Sequence, residues 1–357
     1  MGDSKIANLV VSTIPELEHI LPLLQEYISE KRSVNVLYGI PLPASQVSRL
    51  AAAARQLGPD SITVMVDHAA QLAHVTRFHE ESGFPAGVYL KVDTGYHRAG
   101  LPPQRINKDD LVTKLKVLHV EEKLKIVGLY SHSSLSYNDS TPEQAMANLE
   151  DEILGCLEAC SQFPEDITIS VGASPQVTSI LNLTTPSAAA TSLKNLIQRV
   201  ASEGRKLELH AGVYSILDMQ QLSTQSRALG SLEEEIAISV VAEVCSVYNN
   251  GERDQPEALL AVGVLGLGRE PCPSYKGWGV LNLSGDRMII SRVSQEHSIV
   301  AWESDSKEPL PLQVGQVVQI FPNHACITGA LYGWYLVVDS ETSPTKVVDV
   351  WIRASGW

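Results

Sequence analysis

Gly87-Val88-Tyr89-Leu90-Lys91-Val92-Asp93-Thr94-Gly95-Tyr96-His97-Arg98-Ala99-Gly100 is the stretch whose reading decides the fold. Its first half is apolar on both faces, as a parallel strand covered by helices must be. It then breaks into charge and glycine, which marks a strand end and a turn. Runs of the same kind recur at 6–12, 34–40, 62–67, 126–132, 167–172 and 207–212. Amphipathic stretches at 15–31, 43–57, 69–82, 142–162 and 187–204 lie between them, several opening on Pro or on Ser, Thr or Asp as helix starts do. Strand–helix alternation of this sort is α/β. A (β/α)8 barrel closes with eight strands, and only seven runs are present. An open doubly wound sheet would show a Gly-rich phosphate loop after its first strand, whereas residues 13–17 contain no glycine. The reading is a (β/α)8-type TIM barrel over residues 1–235 with its first strand missing.

From about residue 236 the texture changes. Short alternating runs at 237–248, 258–267, 277–283, 288–293, 299–303, 314–321, 332–339 and 347–353 are separated by Gly, Pro, Asn and Asp. That pattern predicts a C-terminal antiparallel β domain over 236–357. Residues 221–234, rich in Ser, Gln and Glu, join the two halves.

Composition narrows the class. Hydrophobic residues make up 44% of the 357 and charged residues 19%, enough apolar side chain for a large core. A net charge of −14 disfavours nucleic acid and anionic membrane as partners. The five cysteines are odd in number and scattered, so no disulfide framework follows. Cys156 and Cys160, at helical spacing, read as core residues. No secretory signal and no run long enough to span a bilayer are visible, so a soluble, cytoplasmic protein is expected.

Four strand ends carry polar residues, and barrel enzymes place their sites there. In 91–100, Lys91 and Asp93 occupy alternate positions of one apolar strand and point to one side, predicting a buried pair that Arg98 reaches back over. Tyr130-Ser131-His132-Ser133-Ser134 with Tyr137, Ser170–Pro175, and His210-Ala211-Gly212-Val213-Tyr214 with Asp218 supply small and hydroxyl residues suited to a phosphate. Asn323-His324-Ala325-Cys326 lies between two strand runs. On an extended segment His324 and Cys326 project to the same side, and imidazole with thiolate suits zinc while leaving coordination positions open. The other reading, a half-buried cysteine beside a surface histidine, stands next to it.

Residues 91–100 resemble the barrel motif of alanine racemases and their relatives, the fold-type III pyridoxal-phosphate enzymes. With Ser170–Pro175, His210–Tyr214 and Asp218, Ser294–His297, the His-x-Cys pair and the tail Asp349-Val350-Trp351 and Trp357, the chain resembles the eukaryotic zinc-dependent D-serine dehydratases. The match runs in register from about Lys5 to the last residue. Its most specific part is His-x-Cys, since related D-threonine aldolases carry His-x-Asp there. The resemblance implies a lyase of D-amino acid metabolism that turns D-serine into pyruvate and ammonia with pyridoxal phosphate and zinc. It implies His324 and Cys326 as zinc ligands, and Asp93, Arg98, Tyr137, Ser174, Gly212 and Val213 at cofactor positions, Arg98 facing the ring's phenolic oxygen. It also implies a homodimer acting on a small D-amino acid. Four departures stand out. The lysine that holds the family's cofactor belongs to the first barrel strand and is absent, so no catalytic residue is assigned; Lys91 occupies a structural position of the family. Leu135 and Val213 replace hydrogen-bonding residues, and Ser174 replaces a threonine but keeps its hydroxyl. The alternative is therefore a catalytically degenerate or truncated relative that binds a small molecule or a partner.

Overall fold

The computed structural model describes residues 4–163, 166–228, 230, 232–281 and 286–356. Residues 282 and 283 of the expected run 277–283, and Trp357, lie outside these.

The first half is a seven-stranded parallel sheet in sequential order: β1 (Ile6–Val11), β2 (Ser33–Pro41), β3 (Ile62–Val66), β4 (Ala86–Lys91), β5 (Leu124–Tyr130), β6 (Thr168–Val171) and β7 (Lys206–Leu209). The helices between are α1 (Ile14–Ser29), α2 (Val47–Leu57), α3 (Leu72–Ser82), α4 (Leu111–Val120), α5 (Pro142–Ala159), α6 (Ser174–Ser179) and α7 (Ala188–Ser202). Local chemistry explains their starts. Thr13 and Glu16 form a reciprocal capping box at α1, and Thr141 and Ser187 cap α5 and α7. The helices' apolar faces and the outward faces of the strands build the main core, from Ala7 and Leu17 round to Val200. Cys156 and Cys160 are buried in it, as expected. Helix α4 was not foreseen: it is short and rich in β-branched residues, and Val117 and Val120 point outward, so its apolar stripe is blurred.

The inward faces of the strands carry a much smaller cluster, Leu37, Met65, Tyr89 and Tyr130, with Val127 against it. Strands β1 and β7 are the two edges of the sheet. Side chains bridge them: Asn8 Nδ2 of β1 donates to Glu208 Oε2 of β7 at 3.1 Å. Val10 lies on the same inward face, its Cγ1 only 2.9 Å from where a Cβ on Gly39 of β2 would sit. Ile6 and Val10 are nonetheless 58% and 48% exposed, so the barrel interior is uncovered on the β1–β7 side.

The chain then runs through α8 (Met219–Ser223) and α9 (Leu232–Glu235) into an antiparallel domain. Its strands are β8 (Val240–Tyr248), β9 (Glu257–Leu260), β10 (Gly279–Val280), β11 (Met288–Val293), β12 (Ser298–Trp302) and β13 (Val317–Pro322), with the short helices α10 (Val264–Leu267) and α11 (Ala325–Ala330). These six strands close into a barrel in the order β10-β11-β12-β9-β8-β13. A two-stranded ribbon of β14 (Trp334–Asp339) and β15 (Ser343–Ile352) follows. Part of the expected run 258–267 is α10 instead of strand, because Gly263 and Gly268 bracket a single helical turn. A third apolar cluster joins the halves: Leu217, Met219 and Leu222 from the α8 region pack on Tyr275, Val280, Ile289 and Phe321.

Candidate functional site at the barrel mouth

Lys91 ends β4 on the inward face and is 5% exposed, the only buried lysine among the described residues. Its Nζ stands 4.8 Å over the centroid of the Tyr130 ring. Burial pushes its amine down to about 8, with Glu152 opposing that shift and Arg98 adding to it. The expected Lys91–Asp93 pair does not form. β4 stops at Lys91, and Asp93 instead holds the following turn, accepting from the backbone N–H of Gly95 and His97 and pairing with His97 Nδ1 at 2.8 Å. Val92 still bridges Leu101, so the chain stays extended as far as Asp93; the pair fails because the N–H groups of the following turn and the His97 ring take up the Asp93 carboxylate. Arg98 is exposed at the mouth and lies 5.5 Å from the Tyr96 ring centroid, so Asp93 shapes the loop that carries Arg98 without touching it.

Three residues expected at cofactor positions come together. Ser174 opens α6, and its Oγ accepts from the N–H of Val213 at 3.2 Å. Tyr137, on a single helical turn after β5, lies with its hydroxyl among the side chains of Ser174 and Gln221. Burial pushes the Tyr137 phenol upward, and Asp218 and Cys326 add to that. Gly172 precedes this loop with φ +134, and a Cβ there would sit 2.6 Å from the carbonyl oxygen of His210; only glycine fits.

His324 and Cys326 reach the same region from the other domain. They are not on an extended segment: His324 is the residue before α11, and Cys326 lies inside its first turn. The period-two argument therefore does not apply, and tertiary contacts set the placement. Asp218 is the main one. Its Oδ1 accepts from Gln221 N–H, capping α8, and its Oδ2 accepts from Ala325 N–H, both at 2.8 Å. One carboxylate thus ties the starts of α8 and α11 together. Asn323 is the second: buried, it donates to the carbonyls of Glu270 and Gly277 and accepts from Tyr275 and from Gln220 N–H. Burial first, and then the Asp218 charge, raise the Cys326 thiol. His324 Nδ1 is buried without a hydrogen-bond partner, and Glu270 Oε2 stands 4.0 Å away.

Sequence reasoning missed two carboxylates. Glu152, buried in α5, accepts from Ser131 Oγ at 2.8 Å. Its signal was present, since it interrupts the core stripe Ala145, Met146, Leu149, Ile153 and Cys156 of its helix. Glu208 faces the barrel interior and accepts from Ser170 Oγ at 2.9 Å; an acid in a run of only four strand residues gave no such signal.

An unpartnered imidazole nitrogen with a thiol two residues away suits a borderline-soft cation, although among the described residues no three His, Cys, Asp or Glu are gathered closely enough to hold one. The hydroxyls of Tyr137 and Ser174 beside the Gly172 and Gly212 turns suit the phosphate of a phosphorylated ring.

A parallel sheet of barrel type with polar strand ends, facing an antiparallel β domain, is the alanine-racemase-like class. Residues 2–185 match the alanine racemase N-terminal domain, and residues 237–338 match a putative serine dehydratase domain. The chain is 30% identical to a D-serine dehydratase of Saccharomyces cerevisiae over 98% of its own length and 81% of the relative's. It is 29% identical to a D-serine dehydratase of Schizosaccharomyces pombe, over 100% and 81%. Among solved structures, the D-threo-3-hydroxyaspartate dehydratase of Delftia sp. HT23 superposes with a TM-score of 0.74 at 21% identity, covering 99% of this chain and 91% of that one; a cysteine-to-alanine variant of it has been solved in a metal-free form. The chain belongs to the D-serine dehydratase family of fold-type III, alanine-racemase-like proteins.

Proposed function

We propose that this protein is a lyase of the D-serine dehydratase type, taking D-serine or a close D-β-hydroxy amino acid to the oxo acid and ammonia. The single observation that carries this is the convergence of Tyr137, Ser174, Gln221, Asp218 and Cys326 on one mouth between the two domains. Pyridoxal phosphate supplies the electron sink for loss of the α-proton. Ser174, Tyr137 and the backbone at Gly212 and Val213 would hold its phosphate, and Arg98, on the loop Asp93 shapes, its ring. His324 and Cys326 would hold zinc, whose Lewis acidity eases departure of the β-hydroxyl. Asp218 fixes where both ligands stand. The named substrates of the relatives support the choice of substrate class.

The second reading, a relative that binds without turning over, is favoured by one observation. Among the described residues Lys91 is the only buried lysine, and its amine rests on the Tyr130 ring. Pyruvate release from D-serine with added pyridoxal phosphate and zinc separates the two. Release abolished by chelation, and zinc content lost in His324→Ala, are expected of the lyase. Binding of pyridoxal phosphate with no pyruvate and no borohydride-sensitive visible band leaves the binding protein.

We further propose that the chain divides into domains 1–235 and 236–357, and that it works in the cytoplasm; no described helix is long and apolar enough to cross a membrane. A homodimer is the third part of the proposal. The β14–β15 ribbon supports it: Trp334, Leu336, Val350, Trp351 and Ile352 are exposed on a two-stranded element that is marginal when left alone. Sedimentation equilibrium, with Trp351→Glu as the disrupting variant, tests that part.

A further inference from the structure

A directed chain of hydrogen bonds runs through the barrel interior to its mouth. Ser170 Oγ, fully buried, lies 2.9 Å from Glu208 Oε1 and 3.0 Å from His210 Nδ1. His210 Nε2 lies 3.3 Å from His132 Nδ1. Both rings are held flat: His210 stacks on Tyr130 at 4.2 Å with planes 6° apart, and His132 lies 22° from His210. A hydroxyl has one proton. Its stronger use is the charge-assisted bond to the Glu208 carboxylate, so Ser170 Oγ must accept from His210 Nδ1–H. His210 Nε2 is then an acceptor and takes the Nδ1–H of His132. The consequence falls at the far end: His132 is left with a bare Nε2.

Glu208 is itself braced. Tyr89 donates to its Oε1 at 3.4 Å, and Asn8 donates to Oε2 across the open side of the barrel. The groups facing the histidines agree with a neutral pair. Burial, Arg98 and Lys91 all push His132 down, to about 4, against a smaller upward pull from the Gly172 carbonyl. Burial, His132 and Lys91 push His210 down as well, against a smaller upward pull from the same Gly172 carbonyl.

We propose that Nε2 of His132 is a pre-set hydrogen-bond acceptor whose tautomer is dictated by Glu208 through Ser170 and His210, and that it receives the ammonium or hydroxyl donor of a bound amino acid. Glu208 and Ser170 are positioning residues in this scheme. The ligand half rests on the lyase-family reading above; the tautomer half does not.

The test uses the whole protein. Two-bond 15N–1H spectra of histidine-labelled protein at neutral pH read the tautomers directly. Nδ1–H on both His132 and His210 is expected, with a mixed tautomer at His132 in Ser170→Ala and the wild-type pattern restored in Ser170→Thr. An Nε2–H tautomer at His132 in the wild type, as a bond to the Gly172 carbonyl would give, overturns the proposal. So does a tautomer pattern unmoved by Ser170→Ala. D-serine affinity, measured by calorimetry, should fall about tenfold in Ser170→Ala, the scale of one hydrogen bond to a charged donor, and recover in Ser170→Thr. Binding indifferent to Ser170→Ala overturns the ligand half. No D-serine binding by wild type, with the tautomers as expected, overturns the ligand half together with the family reading, while the Glu208 relay stands on the spectra.

Discussion

The two large sheets of this molecule solve the same problem in opposite ways. The antiparallel one closes, β10 to β13, so it has no edge and its inward residues Val244, Ala258, Leu260, Ile290, Val300 and Ile320 are fully buried. The parallel one ends at β1 and β7, and its interior holds Lys91, Glu208, His132 and His210 with only a small apolar cluster. A closed apolar interior is a packing device. An interior that admits polar groups has traded packing for chemistry.

That contrast breaks or sharpens under measurement, beginning with the largest effect. Ile290→Ala, in the closed barrel, should cost roughly 2–5 kcal/mol by urea denaturation, because a sealed core cannot collapse around the lost atoms. A cost below that of a surface change would show that the closed barrel is not the packed element.

Acid should strike the parallel half next. His132 is held near 4 when folded and returns to its ordinary 6.5 when unfolded, so between these values the unfolded chain binds more protons. Stability from this residue is complete above pH 6.5 and lost as pH falls to about 4, by on the order of 3 kcal/mol. His210 adds to the loss in the same direction. Denaturation midpoints that stay flat from pH 7 to 4, once His132→Gln is subtracted, would contradict the neutral assignment.

The junction between the halves is worth less. Asp218→Ala removes the acceptor for two helix starts and should cost about 1–2 kcal/mol while loosening α11 and with it the proposed zinc site, read by metal titration. The smallest effect belongs to the open side. Val10→Ala and Asn8→Ala should each cost less than about 1 kcal/mol, since water already reaches both. A Val10→Ala penalty as large as that of Ile290→Ala would mean that something covers β1 in solution.

The strands and most helices of the parallel half were legible because a covered strand must be apolar on both faces and a covering helix on one. Among the described residues of that half, α4 escaped because its β-branched residues blur that stripe. The placement of Tyr137, Ser174 and Val213 together followed from the resemblance, and the structure brings them into contact range. Spacing misled twice, at Lys91–Asp93 and at His324–Cys326. At His324–Cys326 the chain enters a helix within the motif, and period-two reasoning holds only while the strand lasts; at Lys91–Asp93 the following turn claims the Asp93 carboxylate.

The sequence by itself determined which segments of the parallel half are strands, which of their faces are apolar, and which residue types are available for chemistry, because those follow from local periodicity. Only the tertiary structure decided that Asp218 draws His324 and Cys326 to the barrel mouth, and that Glu208 meets Ser170 and His210. Those contacts join residues dozens to a hundred positions apart, and no local pattern encodes which distant partner will satisfy a buried polar group.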